Sequence, residues 1–493
     1  MCAVILVVVA FEGLARASLR TPPLARRSPV CGLQDDDPPL LSEAREFFAS
    51  HSVRLHRVKA TGPGSRTTSR LAVRPDGNGS TIIGMFAPGS HDVIPCDQDA
   101  SCHLPQHPMI NMAVEALGHE LSAFGALSAY DERAESGTLR YAQFSVERLT
   151  QRVQITLVVN AATLVEDPAI ERFAKALWEA HDRDDRIDAP IADGSPAAAE
   201  APYGTPHLNL HSLWVNLNPT RTNNILSHEP GAWRLLHALA DGGSIVERLN
   251  SGASFVLPPY VFRQANMEGF DAIVRQVRDA VPAGARVVEW YAGVGVLGLS
   301  LAPDVEWVRC SDVNPSLDAF EASRELLSPC MQERVTFAIG SAAEPERIED
   351  ARGADCAVVD PPRKGLDAQL LAALCDGASS TSADGPCSGI ATLVYVSCGF
   401  PALARDAEAL LEAGWRVRAD EATAHILFPG ADHIETVVVF ERETLPPQPI
   451  SEESSQQQAG VDEEAPPTRR RRDPASPRAR RLAANKRRAR RAG

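Results

Sequence analysis

The stretch Leu393-Val-Tyr-Val-Ser-Cys-Gly-Phe-Pro-Ala-Leu-Ala-Arg-Asp406 joins a strand pattern to a helix pattern. Its apolar, β-branched run ends at a Ser-Cys pair, turns at Gly399 and Pro401, and continues with leucines and alanines at helical spacing. Such a run is typical of a buried parallel strand. Open α/β sheets bind their ligands at the carboxyl ends of these strands, so we expect Cys398 to lie in a functional site.

Strand and helix patterns alternate around this stretch, from Ala285 to Phe440. Strands are predicted at Arg286–Trp290, Glu306–Ser311, Arg334–Ile339, Cys356–Asp360, Gly389–Ser397, Trp415–Ala419 and Ile434–Phe440, and helices at Leu297–Ala302, Pro315–Leu327, Ala368–Cys375 and Pro401–Ala413. This alternation is typical of a mostly parallel sheet with helices on both faces. The predicted fold class is therefore α/β.

The preceding half of the chain has a different pattern, in which strands and helices are interrupted by polar segments. It predicts an α+β domain over residues 42–258, with an Ala/Pro/Gly/Ser-rich loop insert at about 190–205. The α/β domain is expected over residues 259–445. Residues 446–493 have the composition of a disordered tail, which is Arg-rich from residue 469.

Charge is distributed unevenly along the 493 residues. The formal net charge is −15, yet Arg469 to Gly493 carries twelve Lys and Arg residues against one acid, Asp473. A basic tail on an acidic body is typical of nucleic-acid contact through the tail. A nuclear-localisation run and a merely solvated arm are the alternatives.

The ten cysteines are scattered, without a Cys-x-x-Cys pair. In a chain of this size the pattern favours reduced thiols over a disulfide scaffold or a zinc site, and no metal is expected. The longest uninterrupted apolar segment, Ala3 to Phe11, is too short to cross a bilayer, so no membrane association is expected.

Residues 1–41 combine this apolar start with several arginines and serines and a single early acid, Glu12. The composition predicts a targeting segment that is removed, with an organelle, plastid or mitochondrion, as the destination. A disordered N-terminus on a cytoplasmic or nuclear protein is the alternative.

The first strand of the α/β domain is followed by a glycine turn, Tyr291-Ala-Gly-Val-Gly295. Glycines let the backbone turn tightly and approach a ligand. Asp312, at the end of the second strand, can accept both ribose hydroxyls of an adenosine. Because the six-residue dinucleotide fingerprint is absent, we favour S-adenosyl-L-methionine over a nicotinamide dinucleotide. The alternatives are a turn that only packs strand on helix and, for Asp312, a solvated helix cap.

The fourth strand ends in Asp360-Pro-Pro-Arg363. The prolines remove amide donors and stiffen the loop, so we expect the Asp360 carboxylate and the Arg363 guanidinium to project at the carboxyl edge of the sheet. An Asp-Pro-Pro sequence by itself also suits amino-group methyltransferases. In that interpretation Cys398 is only a core thiol.

Combined with Cys398, the same loop indicates pyrimidine chemistry. A thiolate is a strong nucleophile toward the electron-poor C6 of a pyrimidine, and its addition makes C5 able to accept a methyl group. A base must then remove the C5 proton. Glu435, beside His433 at the start of the last strand, suits that role if burial raises its pKa. A surface salt bridge is the alternative role of Glu435.

These motifs resemble the RNA (uracil-5-)-methyltransferase family over Arg66 to Arg442. The most specific segments are Asp360-Pro-Pro-Arg-Lys-Gly-Leu-Asp367, Tyr395-Val-Ser-Cys398 with Leu403-Ala-Arg-Asp406, and Phe428-Pro-Gly-Ala-Asp-His-Ile-Glu-Thr-Val437. The resemblance implies a Rossmann-like S-adenosyl-L-methionine methyltransferase domain preceded by an α+β substrate-binding domain. By position, it implies that Cys398 is the nucleophile and Glu435 the base. The residues implied in cofactor binding are Gln264, Tyr291, Gly293, Gly295, Asp312, Ser341 and Asp360, and those implied in substrate contact or support are Arg66, Arg70 and Arg363.

Three departures from the family pattern are visible. The usual Ser-Cys-Asn-Pro is Ser397-Cys-Gly-Phe400, which removes a side chain that helps to hold the target base, and Val296 stands where Asn is usual. The N-terminal β-barrel RNA-binding module of many members has no counterpart, and the Arg-rich tail is a candidate substitute for it. Only Cys96 matches the cysteines that hold an iron–sulfur cluster in some members, so no cluster is expected.

The resulting hypothesis is methylation of C5 of a uridine in RNA by a monomeric enzyme, with S-adenosyl-L-methionine as the methyl donor. tRNA is favoured because the barrel is absent, and ribosomal RNA is the alternative substrate. The uridine is expected in a loop, where its base can leave the stack and lie against an aromatic side chain. An RNA-binding or RNA-folding factor that keeps the fold with little turnover is the alternative from a different class.

Overall fold

The computed structural model describes residues 37–442, apart from 60–61, 77, 79, 88, 97–104, 126, 182–207, 221–223, 240–241, 315, 377–384 and 429–430. The helices of the described residues are α1 (Pro39–Ser50), α2 (Pro108–Phe124), α3 (Ala169–His181), α4 (Met267–Ala280), α5 (Val296–Leu301), α6 (Leu317–Arg324), α7 (Pro329–Gln332), α8 (Pro345–Glu349), α9 (Ala368–Asp376) and α10 (Phe400–Glu412). The strands are β1 (Arg54–Val58), β2 (Thr68–Pro75), β3 (Thr81–Phe86), β4 (Val93–Pro95), β5 (Leu139–Glu147), β6 (Arg152–Val159), β7 (Leu210–Leu217), β8 (Trp233–Ala238), β9 (Ile245–Arg248), β10 (Ser254–Leu257), β11 (Arg286–Trp290), β12 (Trp307–Asp312), β13 (Val335–Ile339), β14 (Cys356–Val359), β15 (Thr392–Ser397), β16 (Arg416–His425) and β17 (Glu435–Glu441).

Eight strands form one sheet in the order β1-β16-β17-β15-β14-β11-β12-β13. β17 is antiparallel to both of its neighbours, and the other adjacent strands are parallel. The central strands β14 and β15 are buried along their whole length, because α4 and α5 pack on one face of the sheet and α1, α9 and α10 on the other. The predicted α/β, Rossmann-like fold class is confirmed.

A second sheet has seven strands in the order β4-β3-β2-β5-β6-β7-β8. All adjacent pairs are antiparallel except β6 and β7. One face of this sheet packs against α2 and α3 and forms a separate apolar core. The α+β arrangement predicted for this part of the chain is therefore confirmed, while the exact domain boundaries stay a prediction.

The first described residues differ from the prediction. α1 begins at Pro39, inside the segment predicted to be removed, and both Leu41 and Phe48 are buried. β1 pairs in parallel with β16, so residues 39–58 extend the eight-stranded sheet instead of joining the α+β domain predicted from residue 42. The pairing joins distant parts of the chain, and no local sequence pattern indicates it.

Three predictions concern residues outside those that the structure describes. They are residues 1–36 of the targeting segment, the insert at 190–205 and the Arg-rich tail. Among the helices of the described residues, none has the length and apolarity needed to cross a bilayer. Cys96 is disulfide-bonded, so the prediction of reduced thiols was wrong at this position. Sequence spacing fails here because a disulfide depends on proximity in space, which scattered cysteines do not reveal.

Gly295 shows how closely the glycine turn packs. Its φ is +79°, and a Cβ built there would lie 2.6 Å from the ring of Phe320. We expect Gly295→Ala to lower the free energy of unfolding by about 3 kcal/mol, because left-handed backbone and overpacking both cost energy. Gly284 is the matched control, since its φ is +73° and a Cβ there would meet no atom within 4 Å. Gly284→Ala should cost only about 1 kcal/mol in urea unfolding, and equal losses in the two variants would contradict the packing role.

Candidate active site

Strand direction brings the predicted site residues to one edge of the eight-stranded sheet. Tyr291 follows β11, Asp312 ends β12, Asp360 follows β14 and Cys398 follows β15. Glu435 is the first residue of β17, which is antiparallel to β15. Because β17 runs in the opposite direction, its start lies at the edge where the parallel strands end. The edge is the one at which open α/β sheets bind ligands.

A cavity of about 800 Å³ opens at this edge. The predicted cofactor residues that line it are Gln264, Tyr291, Gly293, Asp312 and Asp360. Apolar side chains, among them Phe270 and Leu297, form much of the remaining wall. An apolar cavity with a few converging polar groups is suited to a small organic cofactor.

The glycine turn positions backbone groups along the cavity. Tyr291 and Gly293 both have a φ of +61°, and a Cβ at Gly293 would meet no atom within 4 Å. The Gly293 N–H donates to Oδ2 of Asp312 at 2.9 Å. Oδ1 of Asp312 accepts the Asn314 N–H at 2.7 Å. Asp312 therefore holds two turns together while its carboxylate stays on the cavity wall.

Two of the predicted cofactor residues, Gly295 and Ser341, do not line the cavity. Gly295 begins α5 and is needed for the close approach of Phe320. Ser341 follows β13, and its Oγ accepts the Ala343 N–H at 3.2 Å. Both residues contribute to the packing and turns around the cavity, and their part in cofactor binding stays a prediction.

Cys398 and Glu435 are brought together by the pairing of β15 with β17. Ser397 lies opposite Thr436. Because the strands are antiparallel, the residue after Ser397 lies next to the residue before Thr436. Cys398 and Glu435 are therefore neighbours. Cys398 is half-buried and is not disulfide-bonded. The thiol therefore lies at the sheet edge and not in the apolar core.

The carboxyl groups beside this thiol have raised pKa values. Burial raises the pKa of Glu435 well above its usual value, and the nearby Cys398 and Asp360 raise it further, while Arg363 opposes the rise. Burial also raises the pKa of Asp360, with added effects of Cys398 and Glu289. A carboxylate with a raised pKa accepts a proton more readily, so Glu435 can serve as a general base.

The predicted substrate residues separate into two places. Nη2 of Arg363 lies 3.2 Å from Nε2 of His433, in the segment that precedes Glu435. The Arg66 guanidinium lies over the Phe428 ring, 4.3 Å from its centroid, and so also borders this segment. Arg70 is on β2 and lines a second, smaller recess.

The Gly399-Phe400 departure has a packing explanation. A Cβ at Gly399 would lie 2.6 Å from the backbone oxygen of Arg363. An asparagine side chain there would therefore displace the Asp-Pro-Pro-Arg loop. The Phe400 ring packs against those of Phe47 and Phe48, with centroids 5.8 and 6.0 Å apart. The helix α1, absent from the prediction, thus supports the loop that carries Cys398.

Sequence reasoning missed three residues of this site. Glu289 is buried on the cavity wall, accepts the Gly298 N–H at 3.0 Å, and has a pKa raised by burial to about 7. Oδ2 of the buried Asp406 accepts from the Leu366 N–H and the Tyr395 hydroxyl, each at 2.8 Å, and ties the 360–367 loop to β15.

Phe262 is the third residue of the site that sequence reasoning missed. Its ring is partly exposed and lies on the cavity wall. A lone acid in an apolar strand was an available signal for Glu289. Asp406 ends a segment that resembles the family, but its hydrogen bonds are visible only in the structure, and Phe262 had no comparable signal.

The sheet order, the glycine turn and the cavity at the carboxyl edge are those of a Rossmann-like methyltransferase. The sequence is 33% identical over 408 residues to an uncharacterized RNA methyltransferase of Protochlamydia amoebophila, covering 82% of this chain and 93% of that relative. The chain belongs to this family of RNA methyltransferases, and the prediction of an RNA-methylating enzyme is confirmed.

Further comparisons agree with this assignment. An uncharacterized RNA methyltransferase of Listeria monocytogenes is 26% identical over 76% of this chain and 70% of its own length. The crystal structure of the Pyrococcus abyssi tRNA (uracil-54, C5)-methyltransferase in complex with S-adenosyl-L-homocysteine has the same fold. It matches with a TM-score of 0.60 and 20% identity, over 85% of this chain and 88% of the other. No protein-family model matches the chain.

Proposed function

We propose that this RNA methyltransferase transfers a methyl group from S-adenosyl-L-methionine to C5 of a uridine, with tRNA as the favoured substrate and ribosomal RNA as the alternative. The observation that carries the proposal is that Cys398, Glu435 and Asp360 meet beside a cavity of cofactor size. The similarity in fold to a tRNA (uracil-54, C5)-methyltransferase supports it.

The cavity fits S-adenosyl-L-methionine in shape and charge. Asp312 is placed to accept the ribose hydroxyls, and the open space at Gly293 leaves room for the ligand beside the backbone. Burial raises the pKa of the Glu289 and Asp360 carboxyl groups, which line the same cavity, and a positively charged sulfonium bound there would favour their ionised forms. When bound, S-adenosyl-L-methionine supplies an activated methyl group to the nucleophilic carbon of the substrate.

The protein residues then act in a fixed order. The Cys398 thiolate adds to C6 of the uracil, and the electron pair of the C5–C6 double bond moves toward C5 and O4. C5 is now nucleophilic and would take the methyl group from bound S-adenosyl-L-methionine, with S-adenosyl-L-homocysteine as the leaving group. Glu435 removes the proton from C5, the C5–C6 double bond re-forms, and the Cys398 sulfur leaves C6 as a thiolate. The enzyme is regenerated with one proton on Glu435, which passes to solvent.

The target base needs a surface on which to lie once it has left its stack. Phe262 exposes 37% of its surface and lines the cavity. Aromatic side chains hold extruded bases by stacking, so Phe262 is the candidate platform. Arg363 is exposed beside Glu435 and can donate to a uracil carbonyl or to the phosphate of the same nucleotide.

Identification of the methylated nucleoside tests the proposal. The full chain is incubated with unmodified tRNA and ribosomal RNA transcripts and methyl-labelled S-adenosyl-L-methionine, and the digested nucleosides are separated by mass spectrometry. We expect the label in 5-methyluridine. Label in an N-methylated base would support an amino-group methyltransferase instead. RNA binding without any label would support an RNA-folding factor with little turnover.

A further inference from the structure

The seven-stranded sheet has a polar face that its apolar core does not use. Side chains alternate along β2, so Arg70 lies on the face opposite Leu71, which belongs to the core. Arg70 pairs across the strands with Gln143 of β5, and Nε of Arg70 donates to Oε1 of Gln143 at 2.6 Å. Gln154 of β6 lies on the same face, opposite Ser145 of β5, and is buried. The unused face is thus lined with hydrogen-bonding groups.

The segment 257–263 crosses this polar face on its way to the cofactor cavity and borders a recess of about 310 Å³ that is open to solvent. We call it the arginine recess. Its polar lining consists of Thr68, Arg70, Gln143, Ser145, Gln154 and Arg263. Arg263 also lines the cofactor cavity, so the two spaces share a wall.

Arg263 is buried, and its guanidinium group has fewer hydrogen-bond partners than it has donors. Its side chain is 5% exposed, and Nη2 donates to Glu247 and to the backbone oxygen of Val146. Among the described residues, Nε and Nη1 of Arg263 have no hydrogen-bond partner. Buried charged donors left unsatisfied are costly, and they leave the positive charge of Arg263 only partly compensated at this wall of the recess.

The local charge balance favours an anion. The acids near Arg263, Glu147 and Glu247, are already engaged: Glu147 accepts the Val246 N–H at 2.9 Å, and Glu247 binds both Arg148 and Arg263. Arg70 adds a positive charge, and no carboxylate of the described residues pairs with it. Arg70 therefore offers its spare donors to this polar space, and the charge of the buried Arg263 lies behind the wall.

We propose that the arginine recess binds one backbone phosphate of the RNA substrate, close to the target nucleotide. Guanidinium groups match phosphate oxygens with paired hydrogen bonds. Arg70 follows Arg66 by four residues, about 13 Å along an extended chain, and Arg66 stacks on Phe428 at the edge of the active site. A phosphate held at Arg70 would therefore fix the strand beside the base that enters the site. The proposal rests on RNA as substrate, and it does not depend on which base is methylated.

Salt-dependent RNA binding tests the proposal. A fluorescein-labelled decauridylate is titrated with the full chain, without cofactor, between 50 and 300 mM salt. For single strands the logarithm of the affinity falls with the logarithm of salt by about 0.7 per phosphate contact. We expect Arg70→Gln to weaken binding about tenfold at 100 mM salt and to reduce this slope by about 0.7. Arg70→Lys should keep the wild-type slope because the charge remains.

Arg248→Gln is the matched control. Arg248 is exposed on β9, next in sequence to Glu247, and does not line the recess. Arg248→Gln should leave both the affinity for the RNA probe and the salt slope unchanged. A wild-type slope in Arg70→Gln would overturn the proposal, since weaker binding with an unchanged slope means contact with a base. Equal losses in Arg70→Gln and Arg248→Gln, or failure of the wild-type protein to bind the probe at 50 mM salt, would also overturn it. Methyl transfer is not measured here, so the result is independent of the uridine reaction.

Discussion

Cys398→Ala is expected to abolish formation of 5-methyluridine, with a loss on the order of 10⁴-fold or more in turnover, as for the loss of other covalent nucleophiles. Without the sulfur, C5 of the uracil never becomes nucleophilic, so no methyl group can be accepted. The cofactor cavity is not lined by Cys398 and should bind S-adenosyl-L-methionine as before. Turnover is measured by release of labelled nucleoside, and cofactor binding by isothermal titration.

Cys330→Ala is the control for this variant. Cys330 is an exposed, reduced cysteine in α7, outside the cavity lining. Its replacement should leave turnover at the wild-type level. Normal turnover in Cys398→Ala would remove the covalent step from the mechanism and leave the amino-group interpretation of the Asp360-Pro-Pro loop.

Glu435→Gln is expected to stop the reaction after methyl transfer. The amide cannot remove the C5 proton, so the RNA should stay attached to Cys398 and appear as a methylated protein–RNA complex in a denaturing gel. Turnover should fall by a factor of about 10²–10⁴, the usual contribution of a general base. Glu441→Gln, at the far end of the same strand, should not accumulate the complex, because its exposed pair with Arg418 contributes little.

The pH dependence of product release by the wild-type enzyme should report the ionisation of Glu435. Only ionised Glu435 can accept the proton, and burial together with Asp360 raises its pKa even when the Cys398 sulfur is bound to C6 and carries no charge. Single-turnover release of product should therefore increase with pH through a pKa above that of an ordinary glutamate. A release rate that is independent of pH, or a Glu435→Gln variant with normal release, would assign the base to another residue.

The fold of the second half of the chain was predictable because its signals are local. The strand Arg286–Trp290 has the bounds expected from its apolar run. Alternation then implies parallel strands, and parallel strands place the ends of β12, β14 and β15 at one edge. The location of Asp312, Asp360 and Cys398 at this edge follows from that rule alone.

Other features depend on contacts between distant parts of the chain, which local patterns do not contain. β1 finds its partner β16 almost at the other end of the described chain, and α1 is positioned by packing against Phe400. Gly295 was predicted as a cofactor residue, yet its lack of a side chain serves the ring of Phe320. The motif identified the glycine correctly, but only the packing shows what the glycine is for.

The charge environment of the site was partly predictable. A raised pKa for Glu435 was expected from its proposed role, and the structure gives the cause as burial together with Cys398 and Asp360. Glu289 was not expected in the site, although a lone acid in an apolar strand was an available signal. Arg263 had no such signal, because its role depends on the two cavities that it borders.

Trapping with 5-fluorouridine tests the central claim most directly. RNA transcripts that contain 5-fluorouridine are incubated with the protein and S-adenosyl-L-methionine, and the cross-linked peptide is sequenced by mass spectrometry. Fluorine cannot leave C5 as a proton, so we predict a stable methylated adduct joined to the sulfur of Cys398. Transfer of the methyl group to RNA without any adduct, or an adduct on a different residue, would contradict the account.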